Sequence, residues 1–206
     1  MERQRSAERV RRAFRLYVMN NPSQALSHAQ ARTRAAIIEA TVSVLAANRT
    51  ASLPVIAEAA GVGRTTVHRY FPDRDHLIRE VTVDCIAVVR EIGVRADTAH
   101  GTPVDALHRL IAAFLSESDR IVFLFKDPAV LQNVPPDEQP DDDFVMELIR
   151  RGQVEGDLAH DLNAGWIERA LLALVLQGCE DVSTGELPAH TAVTTILRTF
   201  LRGVSA

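Results

Sequence analysis

The sequence predicts an all-α chain, an N-terminal three-helix helix-turn-helix domain followed by a helical bundle. Ala, Leu, Arg and Glu are abundant, and no stretch alternates apolar and polar residues between hairpin turns. Apolar positions instead recur at helical spacing. Residues with cap and breaker chemistry stand between the periodic stretches.

The elements follow in chain order. Over 32–47, Ile37, Ala40, Thr41, Val44 and Leu45 form the stripe of an amphipathic helix. Asn48 then stands where a left-handed C-terminal cap is expected. A short second helix is expected over 53–60, with Ser52 as N-cap and Pro54 tolerated in the first turn. A third should occupy 64–71 and stop at Pro72, because a proline pushes its predecessor away from helical geometry. Asp73 is a suitable cap for a long fourth helix over 74–95, and Asp75 complements its dipole. Further helices are expected at 103–116, 119–126, 143–155, 163–182 and 189–203. Between them, 133–143 carries three prolines and five acidic residues and reads as a solvated, disordered loop.

Charge is divided along the chain. The net formal charge is -4, but residues 1–80 hold 13 arginines against 7 acidic residues (+6), and 81–206 hold 10 basic against 20 acidic residues (-10). Such a molecule approaches a polyanion with its N-terminal end first. Cys85 and Cys179 lie far apart within apolar helical patterns and lack metal-ligand spacing, so two reduced, buried thiols are expected. No stretch reaches the ~18 apolar residues of a membrane span, and the charged start does not resemble a secretory signal. A cytoplasmic protein without membrane association is expected. The seven histidines form no metal-ligand pair, and neither a nucleophile elbow nor a Gly-rich phosphate loop is present, which argues against an enzyme. No cofactor or metal is expected.

The informative stretch runs from Ser52 to Leu77, SLPVIAEAAGVGRTTVHRYFPDRDHL. Ala57 supplies the small side chain that two steeply crossing helices need where they touch. Gly61, four residues later, adopts the positive φ of a sharp turn without steric cost. Val62, Val67 and Tyr70 then face Ile56 and the first helix. That leaves Arg64, Thr65, Thr66, His68 and Arg69 pointing outward at the start of a short helix, which suits base edges in the major groove.

GVGRTTVHRYFPDRDHL, with the upstream Arg34, Ile37 and Ala40, resembles the DNA-binding domain of the TetR family of regulators. The close match covers 32–81, and RGQVEGDL at 151–158 and LALVLQG at 172–178 match more loosely. The resemblance implies base contacts from Arg64, Thr65 and Thr66, flanked by His68 and Arg69. It implies phosphate contacts from Tyr70 and Arg74, with Ser52 anchoring the second helix against the phosphate chain. Gly63, Thr65 and His68 depart from the residues frequent at these places, which bears on operator identity.

The resemblance also implies a division into a basic extension (1–30), the helix-turn-helix domain (31–78) and an effector-binding and dimerisation domain (79–206). The partners implied are double-stranded DNA, a small-molecule effector and a second copy docked through the last two long helices. Repression of a palindromic operator, relieved by ligand, is the expected mode. Candidate pocket residues are Cys85, Ile86, Val89, Phe114, Phe123, Phe125 and Trp166, which suggest a largely apolar or aromatic effector. The arginines at 3, 5, 9, 11, 12 and 15 make the extension a candidate arm for phosphates beside the operator. The alternative is a ligand-binding or docking module that no longer reads DNA sequence.

Overall fold

The computed structural model describes residues 27–132, 134–140 and 143–204. It divides into two compact units, Met1–Ala35 and Ala36–Ala206. Of the expected basic extension, 1–30, residues 1–26, with all six of its arginines, lie outside the described residues, and 28–30 already belong to a helix.

In the first unit, the described residues open helix α1 (His28–Ala47). The start is a reciprocal cap, in which Ser27 N donates to Gln30 Oε1 (2.8 Å) and Gln30 N to Ser27 Oγ (3.3 Å). This cap moves the helix start to His28, ahead of the expected residue 32.

The second unit holds the rest of α1 and eight further α-helices: α2 (Leu53–Ala59), α3 (Arg64–Tyr70), α4 (Arg74–Ala96), α5 (Pro103–Leu115), α6 (Ser118–Phe125), α7 (Asp143–Glu155), α8 (Ala164–Thr184) and α9 (Ala189–Val204). Among the described residues there is no strand. Apart from the start of α1, each boundary falls within two residues of its expected place, and local cap chemistry sets the starts of α4, α5 and α8. Asp73 accepts from His76 N (2.7 Å) to start α4. Thr102 accepts from Asp105 N (3.1 Å) to start α5, and Asn163 accepts from Trp166 N (3.1 Å) to start α8.

Three local expectations are corrected. The buried stripe of α1 is Ile37, Ile38, Thr41, Val42 and Leu45, with Ala40 and Val44 only half-buried, so the helix is rotated toward Ile38 and Val42. Asn48 is not left-handed, since Asp97 is the one described non-glycine residue with positive φ. Instead the Asn48 side chain accepts from Thr50 N (3.1 Å) and Thr50 Oγ1 (2.9 Å), a local side-chain turn. The described part of the acidic loop, 134–140, is tied down rather than merely solvated. Arg90 Nη2 donates to Glu138 O (2.7 Å), and Gln139 Nε2 donates to Leu131 O (3.3 Å) and Val134 O (3.0 Å).

Helix α5 is the centre of this unit and packs on α4, α6, α7, α8 and α9. Its Ala106, Leu107, Leu110 and Ile111 are completely buried. Gly178 lets α8 approach α9, for a Cβ there would collide with Ile196. One continuous apolar cluster runs from Ile37 in α1 to Val204 at the end of α9. No helix of the described residues is long and apolar enough to cross a membrane.

Candidate nucleic-acid interface

Helices α2 and α3 pack on each other through a glycine turn. Gly61 has φ +65°, the left-handed value the turn requires, and no neighbour lies within 4 Å of a Cβ built there. Glycine is therefore needed here for its backbone and not for space. Val62 N donates to Ala57 O (3.0 Å), closing the turn over the buried Ala57. Gly63 precedes α3 in extended geometry, and its carbonyl accepts from Thr66 N (2.8 Å).

Val67 is fully buried and holds α3 against the rest of the unit. Arg64, Thr65, His68 and Arg69 are exposed, while Thr66 and Tyr70 are half-buried. At ~100° per residue the four exposed positions share an arc of about 140° on the side away from Val67. Phe71 ends the helix in extended geometry ahead of Pro72 and is itself buried. The His68 Nδ1 lies 3.3 Å from Pro72 O. The Arg69 guanidinium sits 5.3 Å from the centre of the half-buried Tyr70 ring, a cation–π contact at the C-terminal end of α3.

Ser52 occupies the capping position before α2 in extended geometry, but its side chain makes no capping hydrogen bond. With Arg49, Arg64 and Arg74 it lines an open cleft of about 540 Å³ beside the recognition helix. Arg74 Nη1 donates to Ala51 O (2.5 Å) and its Nη2 to Arg49 O (2.9 Å). Both terminal nitrogens thus tie the start of α4 to the corner between α1 and α2, and the positive charge remains at the cleft. Burial lowers the Arg49 pKa, and the neighbouring Asp127 opposes the shift.

Arg49 and Thr50, which also line this cleft, escaped the sequence reading. A signal was present, because Arg49 is the one charged residue between Glu39 and Glu58.

The candidate pocket residues do not share one environment. Cys85, Ile86 and Val89 on α4, Phe114 on α5 and Phe123 on α6 are buried. Phe125 and Trp166 lie at the surface of the chain, 38% and 60% exposed. Phe114 stacks with Phe144 of α7 at a centroid distance of 6.4 Å. Both cysteines are free and buried, and burial pushes the Cys179 thiol up to about 12.

A positive-φ glycine turn, a short helix presenting arginine, threonine and imidazole outward, and a cationic cleft beside it define a helix-turn-helix DNA-binding protein carried on a helical bundle. Residues 37–81 match the family model of bacterial regulatory proteins, tetR family. The repressor LfrR of Mycolicibacterium smegmatis is 35% identical over 181 residues, 86% of this chain and 93% of LfrR. The chain belongs to the TetR family of transcriptional regulators.

The crystal structure of LfrR superposes with a TM-score of 0.71 at 31% identity, covering 87% of this chain and 100% of that one. A second LfrR structure, in complex with proflavine, gives 0.70 at 32% identity, over 86% of this chain and 99% of that one. The regulator NfxB of Pseudomonas aeruginosa is 28% identical over 164 residues, 75% of this chain and 85% of NfxB. The protein is a DNA-binding transcriptional regulator.

Proposed function

We propose that this regulator is a cytoplasmic repressor that binds a palindromic operator as a homodimer and is released by a planar aromatic effector. The observation that carries the DNA-binding part is the outward face of α3, where Arg64, Thr65, His68 and Arg69 are exposed around a single buried anchor, Val67. In this reading Arg64, Thr65 and Thr66 meet base edges. His68 and Arg69 flank them, Ser52 and Arg74 face phosphates along the cationic cleft, and Tyr70 meets phosphate from the end of α3.

Dimerisation through α8 and α9 is supported by the exposed Trp166 and the partly buried Leu172, Leu176, Val193 and Leu197, which leave apolar surface for a twofold mate. Two recognition helices then enter successive major grooves about 34 Å apart. An aromatic effector is supported by the proflavine complex of LfrR and by the aromatic content of the core, where Phe114 and Phe123 are buried, as are Cys85, Ile86 and Val89 of α4. These residues are buried in this chain, so an effector has to part them, favouring a second arrangement of α4 and changing the helix separation.

The test is fluorescence anisotropy on DNA flanking the gene and on a scrambled duplex at two salt concentrations, followed by titration with proflavine. Tight, salt-sensitive binding to the flanking duplex alone, reversed by micromolar proflavine, is expected. Equal weak binding to both duplexes would contradict operator recognition. An unchanged operator complex in saturating proflavine would remove the effector class and leave DNA binding standing.

A further inference from the structure

Helix α6 is only eight residues long, yet polar side chains from three other helices converge on it. The two carboxylate oxygens of Asp119 each accept a hydroxyl proton from a different helix. Ser43 Oγ of α1 donates to Oδ2 (2.6 Å), and Ser183 Oγ of α8 donates to Oδ1 (2.7 Å). The next residue, Arg120, meets Glu39 of α1 with both terminal nitrogens, Nη2 at 2.5 Å from Oε2 and Nη1 at 3.3 Å from Oε1. Its guanidinium also lies 3.2 Å from Glu117 and 3.5 Å from Asp84 of α4. At the far end of α6, Phe123 O accepts from Arg49 Nη2 (2.6 Å), and the Arg49 carbonyl is one of the two held by Arg74.

The middle of α1 and the corner leading into α2 are therefore gripped at successive points along one short helix. Apolar packing tolerates sliding, whereas these bonds are short and directional and fix register. Ser183, near the end of α8, is linked to α1 through the Asp119 carboxylate that Ser43 shares. We infer that Asp119 is a positioning residue for operator binding: with Arg120 and Arg49 it sets the attitude of the helix-turn-helix unit, and it passes the placement of α8 directly to α1. This route runs beside the one through α4. It rests on the DNA-binding role of the chain and needs no particular effector.

The test is a double-mutant cycle on the full chain, read as affinity for a duplex that the wild-type protein selects from random DNA. Contacts of this kind shift coupling between distant sites by about two- to thirtyfold. Ser183→Ala is expected to weaken operator binding within that range while its thermal midpoint stays close to that of Thr184→Ala. Thr184 serves as the control because its hydroxyl donates only within α8, to Glu180 O and Asp181 O. In an Asp119→Ala background, Ser183→Ala should have no further effect, because the shared acceptor is gone. A merely structural role would lower the midpoint without this loss of effect.

Unchanged operator affinity in both Ser183→Ala and Asp119→Ala would overturn the inference. So would a Ser183→Ala effect that persists undiminished without Asp119. Should Asp119→Ala fail to fold, the cycle between Ser43→Ala and Ser183→Ala decides the matter, with non-additive losses expected and additive or absent losses overturning it. Failure of the wild-type protein to select any sequence would contradict the DNA-binding role itself, and that shows before any variant is made.

Discussion

Of the seven residues in α3 one, Val67, is buried, whereas seven of the thirteen in α5 are. The two helices are organised for different ends. Helix α5 is fixed by the five helices packed around its apolar face, and only positions such as Asp105 and His108 stay exposed. Helix α3 keeps most of its surface free for a nucleic acid and is placed by a glycine turn, one anchor and the bonds made by its neighbours. A surface that must read another molecule cannot also be spent on packing, so its orientation is set by polar side chains such as Arg74 and Arg49 reaching in from outside.

Five substitutions at four positions break or sharpen this contrast. Leu110→Ala empties a fully buried site in α5 and should lower stability by about 2–5 kcal/mol in urea unfolding. Base preference of the folded fraction should not change, and an altered preference would mean that α5 and α3 are not separable in this way. Arg64→Ala should do the reverse. Operator affinity should fall by about 1–3 kcal/mol with relaxed preference at one base pair, at an unfolding midpoint like that of the wild type.

Gly61→Ala tests the turn between these extremes. Nothing lies within 4 Å of the added Cβ, so the expected loss of about 1–2 kcal/mol is wholly the conformational cost of φ +65°. Gly61→Asn should recover part of that loss in thermal unfolding, and equal losses for Ala and Asn would point to crowding instead. The smallest effect is expected from Asp73→Ala. Removing the acceptor for His76 N should cost about 1 kcal/mol, seen as faster amide exchange in the first turn of α4.

What could be read in advance followed the range of the physics involved. Gly61, Pro72 and Asp73 act on their own neighbours, and the boundaries they set fall where the sequence placed them. The separation of Val67 from Arg64, Thr65, His68 and Arg69 follows from the helical repeat alone. Ser27 and Gln30 carry an equally local signal, three residues apart, and mark a start that the apolar periodicity by itself misses. The rotation of α1 toward Ile38 and Val42 was not legible, because several adjacent apolar residues leave the inward direction to whatever packs there.

The amino-acid sequence by itself determined an all-helical chain, the helix-turn-helix and, apart from the half-buried Thr66, the residues that face outward from it, because turns, caps and helical periodicity are short-range. Tertiary structure decided the rest. Composition could not separate the buried Phe123 from the exposed Phe125, since both are phenylalanines in one apolar run. Nor could it show that Arg74 holds the carbonyls of Arg49 and Ala51, or that Asp119 takes hydroxyls from both Ser43 and Ser183. Those partners lie 23 to 76 residues away in sequence, and only the packing of whole helices brings such groups within hydrogen-bond reach.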